Sequence, residues 1–157
     1  MTRALVVFDP AHWETRQAAE EIAQGISRAG RIAPVVAGGS DVSEEKVLAS
    51  AIVVLGSPTS ARGAARELRD LTALLRTGLL DRKVVSLFEA GPTGPHGAGA
   101  RAVLRSLRVT NPALHLAAPG ISVGVRGKEH ELPEEEVARC RQFGERLAEL
   151  AGAAGVP

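Results

Sequence analysis

The stretch Ala4 to Ile26, ALVVFDPAHWETRQAAEEIAQGI, decides the fold. Its opening run ALVV is short, apolar and stopped by Asp9 and Pro10, which is the pattern of a strand buried on both faces. Beyond the turn, Ala18, Ile22 and Ile26 with Ala19 and Ala23 recur at helical spacing, and Gly30 supplies a stop. A buried strand followed at once by a core-facing helix is the first half of a βαβ unit.

The same alternation continues to the C-terminal end. Five strands are expected, roughly Arg3 to Phe8, Arg31 to Val36, Ala51 to Gly56, Lys83 to Phe88 and Ala113 to Val125, the last with Pro119 and Gly120 inside it. The second crossover, Asp41 to Leu48, opens with Asp41 and Glu44 at capping-box spacing. The third, Arg62 to Thr77, carries Ala64, Leu68, Leu71 and Leu75 on one stripe and ends at Gly78. The fourth leaves the glycine-rich EAGPTGPHGAGAR (Glu89 to Arg101) and runs through Val103, Leu104 and Leu107. Leu132 and Pro133 announce a last helix, with Glu134, Glu135 and Glu136 in the first turn where the helix dipole favours carboxylates. Residues 1–151 read as one α/β domain, and Gly152 to Pro157 as a disordered tail.

A chain of 157 residues is long enough for one sizeable core. Its net charge of +1, with no long basic run and no aromatics among the cations, argues against nucleic acid as a partner. The single cysteine, Cys140, lies on the apolar side of the last helix and reads as a small core residue. With no apolar run of about 18 residues and no secretory pattern, no membrane role and a cytoplasmic location are expected.

In an open parallel sheet, ligands bind beyond the carboxyl ends of the strands. Three loops lie there: Asp9 to Thr15, Gly56 to Arg62 and Glu89 to Gly97. The middle one, GSPTSARG, offers Ser57, Thr59 and Ser60 before a helix, which suits either ligand contact or simple capping. The third holds Gly91, Gly94 and Gly97 among Pro92 and Pro95 and is either a close-approach loop or a long turn. Gly94 to Gly99 has P-loop spacing, but Ala100 and Arg101 stand where Lys and Ser or Thr are required, which excludes a Walker motif. Leu55 and Gly56 at the end of the third strand exclude a receiver-type phosphorylation aspartate.

Three segments together resemble the flavodoxin-like family: ALVVFDPAHWETRQAAEEIAQGI, AIVVLGSPTSARGAARELRDLTALL and ISVGVRGKEHELPEEEVARCRQFGERLAEL. The last is similar to stand-alone flavodoxin-like proteins and to the flavodoxin domain of diiron A-type flavoproteins. The resemblance implies a three-layer α/β sandwich with a five-stranded parallel sheet in the order 2-1-3-4-5 and FMN bound across the three loops. It also implies electron transfer or oxidoreductase activity, with a redox partner protein and the option of a homo-oligomer. The cofactor-binding residues implied are Asp9, His12, Trp13 and Thr15 in the first loop, Ser57, Pro58, Thr59 and Arg62 in the second, and Gly91, Gly94, His96 and Gly97 in the third. No metal site and no catalytic residue is assigned.

The family's phosphate loop, Ser/Thr-x-Thr-Gly-Asn-Thr, survives here only at Thr15. Pro10 lacks an N–H, Trp13 replaces the glycine, and Glu14 brings a like charge, repelling by ~4 kcal/mol at 4 Å and an effective dielectric of 20. Trp13 is expected either to plug the phosphate hole or to cover a flavin ring, the plug being favoured. Any phosphate is expected to shift toward Arg62, Arg101 and the backbone of Gly97 to Gly99. His12 and His96 share the ligand edge and could meet as a metal or proton-transfer pair, although a solvated loop histidine is commoner. Two functions follow: an FMN-binding redox module with a degenerate phosphate loop, or a flavin-free binding or scaffolding protein on the same fold.

Overall fold

The computed structural model describes residues 2–76, 78–92, 97–127, 129 and 131–153. Five strands, β1 (Thr2–Phe8), β2 (Ile32–Gly38), β3 (Ser50–Ser57), β4 (Val84–Pro92) and β5 (Ile121–Val125), form one parallel sheet in the order β2-β1-β3-β4-β5. Among the described residues six α-helices connect and cover them: α1 (Trp13–Arg28), α2 (Glu44–Leu48), α3 (Ala61–Glu67), α4 (Arg69–Leu74), α5 (Ala98–Thr110) and α6 (Glu134–Ala153).

Strand alternation divides the apolar residues into two layers. Ala4, Val6, Ile52, Val54, Phe88 and Val123 meet Ala18, Ile22 and Ile26 of α1 and Cys140, Phe143 and Leu147 of α6. On the other face Leu5, Val7, Val53, Leu55, Val85 and Leu87 meet Ala64, Leu68 and Leu71 of α3, α4 and their junction, and Val103 and Leu107 of α5. Both faces of the central strands are therefore dry, which explains why ALVV and AIVVLG show no polar alternation. Cys140 has no exposed surface, and burial pushes its thiol up to about 12.

The helices α1 and α6 approach so closely that glycine is required at their crossing. A Cβ on Gly144 would overlap the Ile22 carbonyl oxygen, and one on Gly25 the Arg141 carbonyl oxygen. A half-buried ion pair, Arg141 Nε to Glu21 Oε2 at 2.7 Å, closes the edge of this contact.

Four expected boundaries are corrected. The third crossover is two helices, because Leu68 leaves helical geometry (φ −103°, ψ 10°) while its side chain stays buried. The stripe Leu68, Leu71 and Leu75 is buried through this break, so periodicity alone does not reveal it. The second crossover is a 3-10 turn, Gly39–Asp41, and then α2, capped by Ser43 accepting from Lys46 N at 3.3 Å instead of by Asp41. The strand expected from Ala113 is confined to Ile121–Val125. Pro112 and Pro119 cannot donate to a ladder, and the segment before β5 is tied to β4 by Ala117 N donating to Val85 O at 3.0 Å and Ser86 Oγ donating to Ala118 O at 3.2 Å. Finally, α6 carries Gly152 and Ala153, while residues 154–157 lie outside the described residues.

Candidate functional site

The first loop is closed on itself. Asp9 follows β1 and has no exposed surface; its Oδ1 accepts from Ala11 N at 2.9 Å, and its Oδ2 is hydrogen-bonded to His12 Nδ1. Thr15 is equally buried, and its hydroxyl accepts from Asp9 N at 2.9 Å and lies 3.0 Å from Asp9 O and 2.9 Å from His12 O. The amide of His12 donates to Asp9 O and that of Thr15 to His12 O, each at 3.1 Å. Pro10 has no N–H to give. The donors of Asp9, Ala11, His12 and Thr15 are thus all consumed within the loop, and Glu14 is buried at the start of α1 beside them.

The loop after β3 packs against the start of α5. Ser57 and Pro58 are buried, and the Ser57 hydroxyl donates to Pro58 O at 3.0 Å. Thr59 is half-buried and its side chain lies on Gly91, where a Cβ would come within 2.8 Å of Thr59 Oγ1. Gly99 N donates to Thr59 O at 2.9 Å, and a Cβ on Gly99 would overlap the Pro58 carbonyl oxygen, so only glycine permits this approach. Ser60 caps α3, its hydroxyl accepting from Gly63 N at 3.0 Å, and Arg62 and Arg101 are exposed.

Within β4, three residues before its end, stands a residue that sequence reasoning missed. Glu89 has no exposed surface, and its carboxylate accepts from Gly97 N at 2.8 Å, Ala100 N at 3.0 Å and Ser122 Oγ at 2.9 Å. A carboxylate so placed occupies the positive end of α5 as a bound anion would. The available signal was a charged residue closing the apolar run VVSLF just before a glycine-rich helix start, since a buried carboxylate must find donors.

Trp13 begins α1 with 57% of its surface exposed, which corrects the reading of it as a plug: the ring fills no hole. It stands at the ligand edge with the Arg16 guanidinium 5.7 Å from its centroid and 5.5 Å from that of Phe8, a cation held between two rings. Gly94 and His96 lie outside the described residues, and with them the His12–His96 pair. The partner that His12 does have is Asp9. Among the described residues, no three His, Cys, Asp or Glu side chains gather as a metal site.

These donors do not fit the phosphate of FMN. The one hydroxyl kept from the family's loop, that of Thr15, is buried and in use. Of the backbone expected to take over, Gly97 N is committed to Glu89 and Gly99 N to Thr59 O. The amides of Ala11, Gly97 and Ala100 are held by the internal carboxylates of Asp9 and Glu89, while Arg62 and Arg101 of the expected anion site are exposed. Trp13, which stands where the family's phosphate loop has glycine, leaves aromatic surface open.

No protein-family model and no curated protein matches the sequence. Solved structures do match. A diflavin flavoprotein A3 from Nostoc sp. is 21% identical, with 99% of this chain and 96% of that chain covered and a TM-score of 0.68. Oxidised flavodoxin 2 from Bacillus cereus is 21% identical over 95% of this chain and 99% of that one, with a TM-score of 0.74. The flavodiiron protein from Giardia intestinalis is 18% identical over 98% of this chain but 37% of that chain, with a TM-score of 0.67. Identities this low speak for the fold, and sheet order, helix placement and these likenesses agree on one: the chain has the flavodoxin-like α/β fold.

Proposed function

We propose that the chain is a flavodoxin-fold module for electron transfer or oxidoreductase chemistry that takes a flavin-type ring without anchoring a phosphate. The observation carrying this reading is that Asp9 holds Ala11 N and Glu89 holds Gly97 N and Ala100 N, while Trp13 stays exposed at the start of α1. Exposing over half of a tryptophan forgoes burial worth about 25 cal/mol per Å² of apolar surface, and stacking on a planar ligand would recover part of it. Ser57, Pro58, Thr59 and Gly91, at the carboxyl ends of β3 and β4, and His12, after β1, would be the other residues of this edge. The partner would be a redox protein in the cytoplasm; among the described residues no helix is long and apolar enough to cross a membrane.

The test is a titration of the purified protein with FMN and riboflavin separately, preceded by an absorbance spectrum between about 370 and 450 nm to detect flavin already bound. Affinities equal within about threefold are expected, whereas FMN bound at least about tenfold (about 1.4 kcal/mol) tighter would show a working phosphate site and overturn the reading. Binding of neither favours the second reading, a flavin-free binding or scaffolding protein, which the buried Glu14 at the usual phosphate position also supports.

A further inference from the structure

We propose that the cleft between α5 and the β4–β5 side of the sheet binds a small amphipathic carboxylate, an apolar ring or short alkyl chain ending in a carboxylate group, with Arg101 as its counter-ion. The inference does not depend on the ring-binding function just proposed. Gly97, Ala100, Arg101 and Leu104 are spaced i, i+3, i+4 and i+7, so they share the face of α5 that lines the cleft. Opposite them stand Leu87 and Glu89, alternate residues on one face of β4, and Ser122, which pairs with Glu89 from β5. Leu116 and Ile121 complete the wall. The cavity so formed measures about 180 Å³, and an aliphatic lining around about 150 Å³ is enough to take benzene. Leu104, Leu116 and Ile121 are only half-buried, which leaves apolar surface for a ligand to cover.

Two charged residues line this cleft, and they differ in what they can offer. Glu89 has no exposed surface, and its carboxylate is met by Gly97 N, Ala100 N and the Ser122 hydroxyl. Ser122 is itself fixed on its other side, its carbonyl accepting from Arg139 Nη1 at 3.1 Å. Arg101 is exposed, and among the described residues it has no carboxylate partner. Its guanidinium lies on Gly97, where a Cβ would come within 2.5 Å of Nη1 and where φ is 104°, so space and backbone both call for glycine. Exposed and yet lining the cleft, this cation stands at its mouth. A guanidinium takes a carboxylate through two parallel N–H···O bonds, which would leave the apolar part of the same molecule to fill the space behind. A cationic ligand meets repulsion from Arg101 before it could reach the covered Glu89.

Phenylacetate, phenethyl alcohol and phenethylammonium share a benzyl tail and carry a negative, neutral and positive end. Each is titrated at fixed ionic strength into the whole nitrogen-15-labelled protein, with amide shifts locating the site. Phenylacetate should shift Ala100, Leu104, Ile121 and Ser122 and bind at least about fivefold tighter than the alcohol, with the ammonium weakest. Arg101→Gln, its fold verified by circular dichroism, should bring phenylacetate to within about twofold of the alcohol and leave the alcohol unchanged. Ala100→Leu, which puts bulk into the cleft, should abolish binding of all three; if it does not fold, Arg101→Gln with the three probes decides. The proposal is overturned if phenylacetate does not bind at about 10 mM, if the shifts centre elsewhere, or if Arg101→Gln weakens acid and alcohol equally. Tightest binding by the ammonium would overturn it too, by making Glu89 the anchoring charge.

Discussion

Glu89 shows how much one side chain can settle. Both of its carboxylate oxygens accept from backbone amides of α5's first turn region, Oε1 from Ala100 N and Oε2 from Gly97 N. In Glu89→Gln the new amide NH2 must face one of those N–H groups whichever way it turns, so a buried donor meets a donor. The expected loss is about 2–3 kcal/mol of folding stability, read from urea denaturation, and a loss below about 0.5 kcal/mol would mean that this carboxylate does not hold the helix end. Trp13 behaves oppositely because it is exposed. Trp13→Ala should change stability by no more than about 0.5 kcal/mol and weaken riboflavin at least about tenfold; unchanged riboflavin affinity would remove Trp13 from the ring site.

Among elements, the tightest fit is between α1 and α6, where the backbones meet at Gly25 and Gly144. Gly144→Ala gains helix propensity worth about 1 kcal/mol, yet its methyl must displace the Ile22 carbonyl of α1. Separation of the two helices would loosen Ile22, Ile26, Phe143 and Leu147 together, so a net loss of about 1–3 kcal/mol is expected in urea denaturation, with Gly152→Ala, which has open space at its Cβ, as the control that carries the propensity gain without the clash. This contact also marks the limit of what was legible in the sequence. The strands, the faces of α1 and α6 and the sheet order followed from periodicity and resemblance, because burial on a repeating element leaves a repeating pattern. The break at Leu68 and the irregular run before β5 did not, since the first keeps its leucines buried and the second replaces ladder bonds with a few isolated ones. In the site, the loops at the carboxyl edge were readable by position. That Asp9 and Glu89 fill them was not, because Glu89 finds donors up to 33 residues away and Asp9 competes for donors within its own turn.

At the scale of the whole molecule, Cys140 reports on the integrity of the layer that α1 and α6 make with the sheet. Its thiol has no exposed surface, and its pKa is raised to about 12, chiefly by burial, with Glu136 and Glu21 adding to the rise and Arg139 opposing it. An unfolded cysteine titrates near about 8.5, so the folded chain holds this proton over a range in which the unfolded chain releases it. The resulting contribution to stability is fully present below about pH 8.5 and is lost as pH rises toward the folded value, by at most about 1.4 kcal/mol per pH unit. Lys83 works the other way, its pKa lowered by desolvation, but it is unchanged in a Cys140→Ala variant and cancels from a comparison. Cys140→Ala removes a sulfur from a packed layer and is expected to be less stable than the wild type at pH 7. Between pH 8.5 and 10 the gap should narrow, because only the wild type carries the thiol linkage. Urea denaturation at half-unit steps measures it, and thiol labelling in the same buffers should proceed at the rate at which the layer opens. A gap that stays constant across this range, or labelling much faster than unfolding, would mean that the thiol is in contact with solvent in the native state.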